Sequence, residues 1–141
     1  MKTLWFCGIG IVSLLSGAPA AADVVTDFSR CLKAHQNVSR EGSPCGRIFQ
    51  RATDALATAL TQARADIEAT GPATALSTIA ATIGLFEREQ TAWEQYRQMA
   101  CRVYADRDMF GTIGRDVLGP ECLVQVMHAR TRQLQIFSDN F

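Results

Sequence analysis

The chain is poor in the residues on which most catalytic sites are built. Its 141 residues include two histidines, two tyrosines and two tryptophans. His35 and His128 lie far apart and have no nucleophile beside them, so no acid–base or nucleophilic constellation stands out, and both read as surface residues. Lysine is confined to Lys2 and Lys33, which leaves arginine as almost the only cation. Acidic and basic residues balance at 14 each. That balance removes any global pull toward nucleic acid or an anionic membrane. No C-x-x-C is present, which argues against a thiolate zinc site, and no C-x-x-C-H is present for a c-type haem. No metal or cofactor is expected. Alternating strand patterns and internal repeats are missing. Gly111, Gly114 and Gly119 follow a helical stretch rather than a strand, and read as loop punctuation rather than a phosphate cradle.

Only one long apolar run exists, from Leu4 to Leu15, and it is too short for a span of about 20 residues. Met1-Lys2 precedes it and the small residues Gly17 to Ala22 follow it. This is the pattern of a secretory signal peptide over residues 1–22, with cleavage expected after Ala22 and Ala20 as the next candidate. Cys7 lies within the apolar run with no lipidation box before it. Residues 23–141 then form one domain, expected to be periplasmic or secreted and without a membrane span.

Four cysteines remain, Cys31, Cys45, Cys101 and Cys122. An even count in a small exported domain reads as two disulfides. Helical periodicity supplies the layout. Val24 to His35 reads as a short helix, followed by a turn-rich loop from Asn37 to Pro44. Ser43 and Pro44 are an N-cap and first-position pair for a helix from about Cys45 to Thr70. Its apolar stripe is Ile48, Phe49, Ala52, Leu56, Leu60, Ala63 and Ile67, and Gly71-Pro72 stops it.

A third helix starts near Ala73, with Leu76, Ile79, Ile83, Phe86, Trp93 and Ala100 on one seam. Gln90 and Arg97 share that seam and Tyr104 closes it. A loop of about a dozen residues from Asp106 to Gly119 follows, and Pro120-Glu121 opens a last helix. Leu123, Val126, Arg130, Leu134 and Phe137 are expected on its inner face. Consecutive helices lie side by side, so Cys31–Cys45 and Cys101–Cys122 are the expected pairs. The fold class is all-α: a small antiparallel bundle of three to four helices stapled by two disulfides.

Two places carry candidate function. The first is the stretch around Trp93, Tyr96 and Arg97, with Arg130 from the last helix. As structure, Trp93 stacks on Arg97, and Arg97 finds a partner near Arg130-Thr131 or an acid. As function, the four residues form a partly exposed recognition patch. The structural reading is the expectation, and Glu87, Glu89 and Glu94 are expected on a solvated face. The second is the segment carrying Asp106, Asp108, Met109, Phe110, Asp116 and Glu121. It reads either as a disulfide-pinned cover over the core or as a loop that enters the cleft of a cationic partner.

The run Gln90, Trp93, Tyr96, Arg97, Cys101, then Gly111, Gly114, Cys122, Arg130, Thr131 and Leu134 resembles the LprI-type lysozyme inhibitor family. Cys31 and Cys45 match an upstream pair common in that family. The resemblance covers residues 85–137 clearly and is more specific for fold than for activity. It implies a small exported bacterial helical domain that binds rather than catalyses. The protein partner it suggests is lysozyme, inhibited by steric occlusion. The alternative is a periplasmic structural or interaction module with an envelope partner.

Overall fold

The computed structural model describes residues 23–35, 42–69 and 76–140. The leader, the Gly71-Pro72 helix stop and most of the 37–44 loop lie outside the described residues. Five helices follow in order: α1 Val24–His35, α2 Pro44–Ala69, α3 Leu76–Ala105, α4 Arg107–Ile113 and α5 Gly119–Ser138. A single π-helical turn, Gly114–Leu118, joins α4 to α5. All regular structure among the described residues is helical, as the periodicity predicts.

The helix starts follow from local chemistry. Asp23 caps α1, its carboxylate accepting from the Val25 amide at 3.2 Å and the Thr26 hydroxyl at 3.1 Å. Ser43 caps α2 by accepting from the Gly46 amide at 2.9 Å, and Pro44 takes the first helical position. The core lies between α1, α2 and α5. Phe28, Cys45, Val124 and Met127 are completely enclosed there. Each large apolar side chain buried this way contributes about 1.5–3 kcal/mol. Ala52, Ala59 and Ala63 make the facing stripe of α2 small, which lets α5 pack closely against it. Phe28 and Phe49 join α1 to α2 as a tilted ring pair with centroids 6.2 Å apart.

Both expected disulfides are present. Cys31–Cys45 ties α1 to α2 and Cys101–Cys122 ties α3 to α5, each with Cα atoms 5.6 Å apart. Gly119 explains the second one. A Cβ there would lie 2.8 Å from the Ala105 Cβ, so the start of α5 touches the end of α3 backbone to side chain. Cys101 and Ala105 share a face of α3, and Gly119 and Cys122 share a face of α5. The contact therefore brings the two sulfurs together.

Three expectations need correction. Residues 106–119, expected as a loop, form α4 and the π turn. Asp106 caps α4, accepting from the Asp108 amide at 2.8 Å and the Met109 amide at 3.3 Å. Gly111 takes φ 59° and ψ −141°, a non-helical conformation that a side chain resists, and it kinks the segment there. The inner face of α5 is also rotated. Val124, Met127 and Thr131 are buried, while Leu123, Val126 and Phe137 are half-buried. Finally, Tyr104 does not close the α3 seam; it is exposed.

Candidate functional site

The polar residues on the α3 seam converge on one side chain of α5. Arg130 is only 4% exposed. A guanidinium so placed requires compensation, because leaving water costs several kcal/mol. It donates to the Glu89 carboxylate, to Gln90 Oε1 at 3.1 Å and to Gln133 Oε1 at 2.9 Å. Its carbon also lies 5.7 Å from the centre of the Trp93 ring. Arg97 lies over the same indole at 5.4 Å and pairs with Glu94 at 2.6 Å. Two cations thus meet one ring, and two carboxylates from the same helix balance them. The Nε atoms of Arg97 and Arg130 are buried without a hydrogen bond, and the electron-rich ring face supplies part of the attraction they lack. Thr131 beside Arg130 is also buried, and its hydroxyl donates to the Met127 carbonyl at 2.9 Å.

This geometry separates the residues that sequence reasoning had grouped. Trp93, Arg97, Gln90 and Arg130 come together. Tyr96 does not; it is exposed on another side of α3. Arg130 and Thr131 are enclosed, so a recognition patch that includes them is not available to a partner. Glu87, Glu89 and Glu94 keep much of their side chains in water, as expected, and each also holds an arginine. Glu87 takes Arg64 of α2 at 2.6 Å, Glu89 takes Arg130 and Glu94 takes Arg97. Arg64 also pairs with Glu68, and hydrogen bonding to Glu68 and then Glu87 raises its already high pKa further. The role of Glu89 was not legible because an exposed glutamate flanked by charges gives no sign that it reaches a buried arginine. A signal did exist, in that buried Arg130 demands an acid within one turn of Gln90. Of the two histidines, His35 is exposed, whereas His128 is half-buried with its Nε2 3.6 Å from the Asp23 carboxylate.

The segment from Asp106 to Glu121 also divides. Its acids are largely used within the fold. Asp106 caps α4, Asp116 pairs with Arg115 at 2.9 Å and Glu121 accepts from the Ser29 hydroxyl of α1 at 2.5 Å. Asp108 remains exposed, together with Met109, Phe110 and Ile113. The apolar tip persists, then, but the acidic surface around it is thinner than the composition suggests. A groove of about 440 Å³ runs beneath it, lined by Ser29, Leu32, Ile113, Val117 and Glu121 among others. Among the described residues no group of three His, Cys, Asp or Glu is placed to hold a metal ion.

The fold and the site define a helical bundle domain, clamped by two disulfides and by a buried arginine network. Residues 29–134 match the family described as lysozyme inhibitor LprI, and the chain belongs to that family. The match spans both disulfides, the Trp93 cluster and the α4 segment. Comparison with curated proteins and with solved structures finds no match. No helix among the described residues is long and apolar enough to cross a membrane.

Proposed function

We propose that this protein is an exported, non-enzymatic binding protein that inhibits lysozyme by blocking access to its cleft. The observation that carries this reading is membership of the lysozyme inhibitor LprI family over residues 29–134. Export is supported by the leader pattern of residues 1–22 and by two disulfides, which persist in oxidising compartments. The mature chain then begins at Asp23. The occluding element is α4, Arg107–Ile113, with Met109, Phe110 and Ile113 exposed along it. The element suits insertion because its base is held rigid by Cys101–Cys122 and by the Ser29–Glu121 hydrogen bond, so little order is lost on binding. The test is a turbidity assay of cell-wall lysis with the oxidised mature protein added. A dose-dependent fall in lysis rate is expected. An unchanged rate at large molar excess removes the reading.

A further inference from the structure

α3 carries apolar residues on two sides, and the bundle covers only one of them. Among its described residues only Cys101 is fully buried. Leu85, Glu89, Ala92, Tyr96, Met99 and Val103 fall outside the packed face, all exposed and separated by steps of three or four. Leu85 is 61% exposed, Tyr96 58% and Met99 70%. Glu89 is the one charge in this series, and it is held by Arg130. The result is a seam one residue wide and about 27 Å long at 1.5 Å per residue, with the 3.5-residue period that accepts a second helix. At its Leu85 end the seam runs into an apolar groove of about 390 Å³ between α3 and α5, lined by Phe86, Leu134 and Phe137.

The charges beside the seam select the occupant. Glu87, Glu89 and Glu94 are each tied to an arginine of the bundle. Arg88 and Arg102 flank the seam and have no ion pair among the described residues. The field along the seam is therefore positive. A second copy laid antiparallel would set Arg88 against Arg102, like charge against like. An anionic membrane would need a broad apolar face, and this one is a single row. We infer that the outer face of α3 is a docking site for an amphipathic helix of a protein partner, with an apolar seam and acidic flanks. The site is separate from α4 and does not depend on lysozyme being the target.

The test uses the full oxidised mature chain and two synthetic helical peptides that share a leucine heptad seam. One peptide has glutamates at its flanking positions, the other lysines. The glutamate peptide is expected to bind about tenfold more tightly by fluorescence anisotropy. Met99→Glu is expected to abolish that binding with little change in the melting temperature, since its side chain is mostly exposed. Arg88→Glu with Arg102→Glu is expected to reverse the preference between the peptides. Equal binding of both peptides, or no binding up to about 1 mM, overturns the inference. So does a concentration-dependent dimer that Met99→Glu disperses, which gives the seam to a second copy. Co-flotation with phosphatidylglycerol vesicles that Met99→Glu prevents gives it to a lipid surface, and overturns the inference equally.

Discussion

Glu89 on α3 holds the guanidinium of Arg130 on α5, although the carboxylate is half in water and the guanidinium almost wholly enclosed. The asymmetry sets what each substitution does. Glu89→Ala leaves a buried cation with only two amide oxygens and a ring, and is expected to destabilise by about 1–3 kcal/mol. Adding Arg130→Met should recover most of that loss, because an apolar side chain of similar length needs no partner. Urea unfolding of both variants checks this. A double variant less stable than Glu89→Ala would show the arginine contributing through contacts other than its charge.

Trp93 is the common surface for Arg97 and Arg130, so its removal affects two cations at once. Trp93→Ala is expected to cost about 2–4 kcal/mol, within the usual range for a large aromatic but lowered by its partial exposure. Thermal melts followed by circular dichroism measure this. A variant that kept its melting temperature yet no longer inhibited lysozyme would make Trp93 a contact residue instead of an anchor.

Gly119 sits where α5 meets Ala105 of α3, with no room for a Cβ. Gly119→Ala is expected to destabilise by about 1–3 kcal/mol through overpacking. It should also raise the rate at which dithiothreitol opens Cys101–Cys122, since the same contact positions both sulfurs. Alkylation followed by mass spectrometry reads that rate against Cys31–Cys45 as the internal control.

Replacing Cys101 and Cys122 together by alanine is expected to cost about 3 kcal/mol, from the conformational freedom returned to the unfolded chain. The 21-residue separation makes the loop slightly longer than the 14 residues between Cys31 and Cys45, so the two pairs should matter almost equally. Denaturant midpoints of the two double variants test the equality.

Met109→Asp with Ile113→Asp places charge on the exposed side of α4, where both side chains lie mostly in water. The melting temperature is expected to stay within about 2 °C, while inhibition of lysozyme falls at least about tenfold. Full inhibition by this variant would move the occluding surface away from α4.

Much of the architecture was legible without coordinates. The α1 bounds, the Ser43-Pro44 start of α2, the Ala105 end of α3 and both cysteine pairs agree with the sequence reading to within a few residues. These features rest on local chemistry, namely caps, proline and period, and on the adjacency of consecutive helices. The candidate site was legible only in part. Gln90, Trp93, Arg97 and Arg130 do meet, because they occupy helical positions that project toward one interface. Tyr96, one residue from Arg97, points elsewhere, and Glu89, one residue from Gln90, is the missing partner. At 100° per residue, a small rotation of a helix decides which of two neighbours faces inward.

By itself, then, the sequence determined the all-helical class, the two disulfide staples and the order of the helices. Periodicity, capping residues and cysteine spacing act over one or two turns. The tertiary structure alone decided three things: the rotation of α5 that buries Val124 and Met127, the conversion of the 106–119 stretch into helix, and the pairing of Arg130 with Glu89. Each depends on how close two helices approach, and that distance is set by side chains far apart in the chain, such as Gly119 against Ala105 and the alanines of α2 against α5. The same packing left one apolar row of α3 uncovered, and no local rule in the sequence distinguishes that row from the one the core uses.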